Sequence, residues 1–408
     1  MTVAAPERSV SSVVAYTAFI GALLAIGIDT ALPAFDEIRD TFGLGGGSGE
    51  VSLVVTVYFL GMAAGQLPMG PLSDRFGRKP ILLGSLGLYA VGALGATLAP
   101  SFGVLLAFRF VWGLGAAGPA VISNAIARDL YDGDRMARVL ALQIAVFLVG
   151  PTLAPLIGEL LLAAGPWELV FVLGLALCVV GIAWTLRFGE TLPEERRRPI
   201  DPQAIGRGIR TTMTHRFSTG CVMAMVFSYG AFFVFLGSSQ PIVDEVYGRP
   251  EWFAATFAGV SAIQGLGVWQ VSRVLEQIGT LRAATIAIIV NLLAYVAMAI
   301  AAFGADGVPA FGIWVVTLAI ASTAGTITST TLISLALEPM ERIAGTAAAV
   351  RGLLTLGVGS LLAASIDRQI DTTVTPMAVG GAIYCAAALV ILQWARGGSL
   401  EVVDPDAR

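Results

Sequence analysis

Two charged residues lie within long apolar runs of the sequence, where a charge needs a physical reason. Asp29 is near the end of the first run, and Arg109 is within the fourth. A charged side chain at the centre of a bilayer costs about 2.5–3.5 kcal/mol on insertion scales. Burial favours the protonated form of a carboxyl group, whereas a nearby guanidinium favours the ionised form. We expect these residues to lie at similar depth and form a titratable pair; a structural ion pair is the alternative interpretation.

Two further charges have weaker claims to a functional role. Glu159 is near the end of the fifth apolar run, where a cavity position and an interfacial position are equally compatible with the sequence. Arg351 is about nine residues into the eleventh run, close enough to one end for its long stem to carry the charge to the membrane surface. We expect a structural role for Arg351, with a cavity position as the alternative.

The composition is that of a membrane protein. Of the 408 residues 56% are hydrophobic and only 13% are charged, with a mean hydropathy of +0.82. Soluble domains carry about 25% charged residues, so lipid must cover much of this surface. The three cysteines are far apart and His215 is the single histidine, which gives no spacing for a metal or a disulfide. We therefore expect no metal, no cofactor and no nucleic-acid partner, and a proton gradient as the energy source.

Twelve apolar runs are long enough to cross a membrane, since a span needs roughly 20 residues. The expected fold is all-α, with twelve transmembrane helices in two pseudo-symmetric six-helix bundles. The expected domains are residues 1–187, a cytoplasmic linker at 188–215, and residues 216–408. The predicted spans are 10–33, 50–71, 79–98, 102–128, 137–163, 166–187, 216–238, 251–272, 280–302, 308–337, 342–364 and 376–396.

The basic residues predict the orientation. With the N-terminus inside, 19 of the 24 lysines and arginines fall in cytoplasmic segments and three fall in outer segments. We expect a multi-pass protein of the inner (plasma) membrane with both termini in the cytoplasm. The first run is too long for the apolar core of a signal peptide, and we interpret it as a retained helix.

The two halves of the sequence resemble each other at two places. The segment 32–38, LPAFDEI, is echoed by 240–246, QPIVDEV, and Gly65, Asp74 and Gly77 are echoed by Gly267, Glu276 and Gly279. Two echoes in the same order indicate duplication. Paired halves place a substrate site near the middle of the membrane, at their interface.

The most specific string in the sequence is GQLPMGPLSDRFGRKP at 65–80. Its glycines permit a tight turn and close helix packing. Asp74 can accept hydrogen bonds from a helix N-terminus or pair with an arginine. A loop that only fixes the topology would explain the arginines but not the spacing of Gly and Asp.

With this string the chain resembles the major facilitator superfamily, over essentially its whole length. Residues 109–117, RFVWGLGAA, resemble the fourth-span motif of that family, with Trp112 where glutamine is usual. Residues 150–158, GPTLAPLIG, resemble the antiporter motif of proton-coupled drug exporters, and 29–33 and 166–171 resemble the Bcr/CflA branch. The resemblance implies two bundles that rock about a central cavity, and Asp29 with Arg109 as the proton-coupling pair. It assigns conformational roles to Gly65, Asp74, Arg75, Gly77 and Arg78 in the loop and to Gly150, Pro151, Pro155 and Gly158 in the fifth span.

The expected function is proton-coupled export of small, partly apolar drugs or toxic compounds by a monomer. The alternative is export of one metabolite on the same fold. A membrane enzyme would need convergent polar groups at one membrane face, an ATP-driven pump would need a GxxxxGK[ST] loop, and the sequence has neither; a receptor-like sensor stays open. The candidate cavity residues are Tyr16, Trp112, Asn124, Gln143, Phe147, Phe227, Phe233 and Gln264, with Tyr229 and Phe232 as further aromatic candidates.

Overall fold

A computed structural model describes residues 9–45 and 50–398, without the side chains at 134, 137, 141, 144–148 and 271–277. Within these ranges the chain forms twelve α-helices of 20 or more residues and two shorter ones. In chain order they are α1 (Val10–Asp29), α2 (Phe35–Phe42), α3 (Leu53–Phe76), α4 (Arg78–Thr97), α5 (Phe102–Leu130), α6 (Gly133–Ala164), α7 (Leu169–Phe188), α8 (Pro202–Thr214), α9 (Arg216–Pro241), α10 (Phe253–Ile278), α11 (Thr280–Phe303), α12 (Phe311–Leu337), α13 (Ala344–Asp367) and α14 (Thr375–Ala395).

The long helices have the length and composition of membrane spans, because 20 helical residues cover about 30 Å. In the described part of the chain, nine helical stretches are apolar enough to cross a bilayer. One of them, Phe311–Asp367, contains both α12 and α13. The prediction of an all-α, multi-pass membrane protein is confirmed.

The linker contains a helix that the sequence analysis left as polar chain. Helix α8 begins where the Asp201 side chain accepts hydrogen bonds from the backbone N–H groups of Gln203 and Ala204, with Pro202 as the first helical residue. After it, Nδ1 of His215 accepts from the N–H of Ser218 and caps α9. Partial burial lowers the pKa of His215, which favours the neutral ring that this contact requires.

Helices α3 and α5 pack with their backbones in contact. A Cβ atom on Gly61 would lie 2.0 Å from the carbonyl oxygen of Phe110, and one on Gly113 would lie 1.9 Å from that of Tyr58. Only glycine fits at these two crossings. Such packing joins the helices of α1–α7, here called the N-terminal half; α9–α14 are called the C-terminal half.

The two halves meet mainly where α3 packs on α13 and α6 packs on α10. The ring of Phe59 on α3 stacks on the ring of Phe233 on α9, with ring centroids 4.2 Å apart. The end of the protein that carries α2 and the loop before α10 is called the α2 end, and the opposite end the α8 end. The division of the chain into two separate six-helix units stays a prediction.

Candidate functional site

Arg109 lies inside the N-terminal half and is fully buried, with 0% of its surface exposed. Its Nε donates to the carbonyl oxygen of Val54 on α3 at 3.0 Å, and its Nη1 donates to that of Gly27 on α1 at 2.7 Å. The side chain therefore ties three helices together through their backbones.

Aromatic rings cover the guanidinium on its remaining sides. Its central carbon lies 4.8 Å from the ring centroid of Tyr58, 5.0 Å from that of Trp112 and 5.5 Å from that of Phe171. The faces of such rings attract a cation. A cation held in this way needs no carboxylate partner.

The expected ion pair between Arg109 and Asp29 is not formed. In the described part of the chain no carboxylate lies within 4.0 Å of Arg109, because backbone carbonyls and ring faces already surround it. The contact with Gly27 nevertheless brings Arg109 within two residues of Asp29 along α1. The role of either residue in proton coupling stays a prediction.

Asp29 is the last residue of α1, and only 4% of it is exposed. Helix α6 packs closely on this part of the chain through the glycines of the fifth-span motif. A Cβ atom on Gly158 would lie 2.5 Å from the carbonyl oxygen of Thr30, and one on Gly150 would lie 3.2 Å from Cβ of Ala25. The motif thus positions α6 beside the buried carboxyl group.

At the α2 end, polar side chains from both halves meet in one network. Arg39 on α2 approaches Asp36 at 3.2 Å and Glu245 of the C-terminal half at 2.6 Å. Nε2 of Gln240, from the end of α9, donates to Oδ2 of Asp36 at 2.8 Å, and a further hydrogen bond joins the side chains of Asp36 and Asp244. The acids of the network lie in the two segments that the sequence repeat aligns.

A buried carboxylate that the sequence analysis missed lies near this network. Asp367 ends α13, is 2% exposed, and accepts a 2.6 Å hydrogen bond from the hydroxyl of Ser238 and another from Ser52 of the N-terminal half. A Cβ atom on Gly237 would lie 2.8 Å from its Oδ2. Because the eleventh span was predicted to end at 364, Asp367 lay outside the predicted spans and was not considered as a buried acid.

Glu159 also joins the two halves at the α2 end. Its Oε1 accepts a hydrogen bond of 3.1 Å from the backbone N–H of Ala254. Ala254 is in the first turn of α10, where N–H groups lack helical partners and the helix dipole favours a negative charge. Glu159 therefore caps a helix of the opposite half, and the choice between a cavity position and a position at the membrane interface stays open.

At the α8 end, the charged residues of the loop motif make their ion pairs within the N-terminal half. Gly77 has a φ of +100°, a conformation that favours glycine. Arg78 is 8% exposed and pairs with Asp74 at 2.5 Å and Asp129 at 2.8 Å. Glu190 accepts from the backbone N–H of Arg78. Asp74 thus pairs with an arginine, one of its two predicted uses, and the role of the motif as a latch stays a prediction.

Residues 17–364 match the sequence profile of the Major Facilitator Superfamily. The chain belongs to this superfamily. It is 30% identical over 387 residues to the uncharacterized MFS-type transporter YdgK of Bacillus subtilis (strain 168), covering 91% of this chain and 92% of YdgK. It is 29% identical over 355 residues to the bicyclomycin resistance protein homolog of Haemophilus influenzae, covering 86% and 87%.

A third relative is the multidrug resistance protein MdtL of Escherichia fergusonii, 31% identical over 242 residues, or 59% of this chain and 60% of MdtL. These relatives confirm the resemblance to the Bcr/CflA branch, and the superfamily consists of transporters rather than enzymes. Among solved structures, a D-xylose–proton symporter shares the fold with a TM-score of 0.76 at 14% identity, covering 98% of this chain and 100% of the symporter.

Two predicted cavity residues of this superfamily member are packed inside the N-terminal half. Tyr16 is 1% exposed, donates to Oγ1 of Thr185 at 2.9 Å, and stacks on Phe188 with centroids 4.0 Å apart. Trp112 is also 1% exposed and lies against Arg109. Their large rings fill the interior of the bundle, and their role in a substrate cavity stays a prediction.

The remaining cavity candidates have diverse positions. Phe233 is at the interface of the halves, whereas the ring of Phe227 faces that of Tyr384 on α14 at 5.9 Å. Gln264 donates to the hydroxyl of Thr326 within the C-terminal half. Three candidates complete the set, of which Asn124 is exposed, Gln143 is half-buried with no partner for Nε2 in the described part of the chain, and Phe147 lies outside the described side chains.

The remaining residues that the resemblance singled out have mainly structural surroundings. Gly65 packs on α5, where its Cβ would lie 2.4 Å from Cβ of Ala117, and Arg75 is exposed. Helix α6 continues through Pro151 and Pro155. Arg351 is half-buried and has no carboxylate within 4.0 Å in the described part of the chain. The expected structural role of Arg351 stays a prediction.

Proposed function

We propose that the chain is a proton-coupled exporter of small, partly apolar drugs or toxic compounds. Membership of the superfamily supports transport, and the printed names of two relatives, for bicyclomycin and multidrug resistance, support drugs as the substrate class. The observation that carries the proton-coupled part is Asp29, an acid that is 4% exposed and forms no ion pair with the neighbouring arginine.

Asp29 has the surroundings that a proton carrier requires. A carboxyl group in an apolar environment binds a proton readily, and an approaching cation favours its release. Nη2 of Arg109 has no hydrogen-bond partner in the described part of the chain, so it is a donor that an ionised carboxylate can engage. Proton release from Asp29 then couples to a rearrangement of α1 against α5.

The exchange proceeds by alternating access. The count of lysines and arginines supports an orientation with the α8 end in the cytoplasm and the α2 end outside, in an inner membrane with both termini inside. The polar contacts between the halves at the α2 end support a state in which the outer side is closed. Opening the outer side requires these contacts to part.

The experiment is proton flux in liposomes that contain the purified protein and an internal pH dye. Bicyclomycin and a panel of other drugs are added under an imposed proton gradient to the wild type, Asp29→Asn and the control Asp306→Asn. Asp306 is an exposed acid in the loop between α11 and α12. We expect drug-dependent flux in the wild type and the control, and none in Asp29→Asn.

Two results contradict the proposal in different parts. Flux that survives in Asp29→Asn moves the proton site away from α1. Absence of flux with every drug, in protein that is folded by its melting curve, rejects drug exchange and favours export of one metabolite by the same fold.

A further inference from the structure

The network at the α2 end contains a contact between two carboxyl groups from opposite halves. Asp36 follows α1 and Asp244 follows α9, at equivalent places in the two repeats. A hydrogen bond joins their side chains. Two ionised carboxylates have no donor to share, so this contact holds one proton.

The surrounding donors assign that proton to Asp244. Oδ1 of Asp36 accepts from Arg39, and Oδ2 accepts from Gln240. With both oxygens accepting, Asp36 is the carboxylate of the pair and Asp244 is the acid that donates. Gln240 is 4% exposed, and its Oε1 has no donor among the described residues, so the site holds one more acceptor than its donors satisfy.

The charges around the pair make the proton necessary for closure. Arg39 is the cation of the network, and it faces Asp36 and Glu245 as well as the Asp244 side chain. Further acids act on the same region from each element beside it, namely Glu37 and Asp40 on α2 and Asp371 after α13. Without the proton, one arginine would oppose three carboxylates in contact, and like charges at contact repel.

Water reaches the site. The side chain of Asp36 is 34% exposed, and Asp244 is half-buried. The pair can therefore exchange its proton with the solvent at the α2 end. Asp29, which is 4% exposed, is by contrast closed to solvent in this state.

We propose that Asp36 and Asp244 form a proton-binding site, separate from Asp29, whose proton holds the two halves together at the α2 end. Protonation of Asp244 closes this end, and loss of the proton places two negative charges in contact and opens it. For one linked proton, the ratio of closed to open protein changes by up to about tenfold per pH unit. In an exchanger oriented as proposed above, external acid would favour the closure that follows proton uptake.

The experiment measures the width of the α2 end directly, without any substrate. Spin labels are placed at Gly45→Cys and Glu251→Cys, both exposed and on opposite halves, with Cys178, Cys221 and Cys385 replaced by serine. Distances are recorded in lipid nanodiscs between about pH 8.5 and about pH 5.5, a range that brackets a shared carboxyl proton. We expect the short-distance population to increase as the pH falls.

Two substitutions at Asp244 distinguish the effect of its proton from the effect of its side-chain volume. The amide in Asp244→Asn donates to Asp36 without titrating, so we expect the short distance at every pH. Asp244→Ala has neither the donor nor the second charge, so we expect a short-distance population that is smaller than that of Asp244→Asn and does not change with pH. The proposal is overturned if the wild type shows no pH response or if Asp244→Asn keeps the response of the wild type.

Two matched variants separate this site from its neighbours and from the proposed function. Glu245→Gln removes the adjacent acid, and we expect it to keep the pH response; a response lost here and retained in Asp244→Asn overturns the proposal. Asp29→Asn should lose drug-driven proton flux and keep the pH response of the α2 end. A response lost in Asp29→Asn assigns the proton to α1 and overturns the separate site, whatever the flux assay shows.

Discussion

Arg109 and Arg39 show two different ways in which this protein holds an arginine. Arg109 is 0% exposed, and its partners are backbone carbonyls and ring faces within one half. Arg39 has a side chain that is 13% exposed, and it joins carboxylates from both halves. Backbone carbonyls are fixed by their helices, whereas carboxylates at a boundary can separate and become solvated. The first arrangement suits a permanent contact, which persists in every conformation. The second suits a separable contact, which opens and closes.

The free energy of unfolding is also expected to depend more on the first arrangement than on the second. Removal of a buried charged donor loses hydrogen bonds that are each worth about 1.5–3 kcal/mol. An ion pair near water contributes about 0.2–1 kcal/mol, because solvent screens it and replaces it. We therefore expect stability to depend on Arg109, and the balance between conformations to depend on the network around Arg39.

The largest effect is expected from Arg109→Ala. It removes hydrogen bonds to the carbonyls of Val54 and Gly27, each worth about 1.5–3 kcal/mol when the donor is charged. We expect a loss of about 3–5 kcal/mol, measured as a large fall in the melting temperature in detergent or as failure to fold.

Arg39→Ala is the matched comparison for this prediction. It removes an arginine whose two ion pairs lie at the α2 end, and we expect a loss of at most about 1 kcal/mol. Equal decreases in melting temperature for Arg109→Ala and Arg39→Ala would contradict the distinction between a permanent contact and a separable contact.

A smaller effect is expected from Gly113→Ala, which tests whether the N-terminal half is a rigid unit. The new Cβ would lie 1.9 Å from the carbonyl oxygen of Tyr58, so α3 and α5 must move apart. Overpacking of this kind costs about 1–3 kcal/mol.

Gly70→Ala, on the same helix pair, is its control. No atom lies within 4 Å of the new Cβ, and alanine is favoured over glycine in a helix by about 0.5–1 kcal/mol. Melting curves should therefore shift in opposite directions for the two variants, and a shared direction would show that the close approach of α3 and α5 carries no energy.

The apolar runs of the sequence were sufficient to predict the fold, but they did not identify the partners of the charged side chains. The apolar runs predicted the long helices because lipid imposes a minimum length on each of them. Helix α8 was missed although Asp201 followed by Pro202 is a standard start signal, because the polar composition of the linker was given more weight. The helix itself was therefore within reach of the sequence.

The candidate site was harder to predict, because any backbone carbonyl can be the partner of a buried arginine. Arg109 and Asp29 were expected to pair from their depth alone, and depth does not determine the direction of a guanidinium. The repeat aligned Asp36 with Asp244 in the sequence, but it did not show that the two acids meet. Their contact depends on how one half is placed against the other, which local patterns do not encode.

The smallest effect is expected from Glu159→Gln, which tests whether the α2 end is held by separable contacts. Glutamine keeps an oxygen that can accept from the N–H of Ala254 but loses the charge that favours the start of α10. A charge at a helix N-terminus is worth about 0.3–1 kcal/mol, which corresponds to a decrease of about two- to fivefold in the ratio of closed to open protein. The spin labels at Gly45→Cys and Glu251→Cys measure this ratio, with Asp306→Asn, an exposed acid in the loop between α11 and α12, as the control. A shift in melting temperature with no change in the distance distribution would show that Glu159, like Arg109, makes a permanent contact.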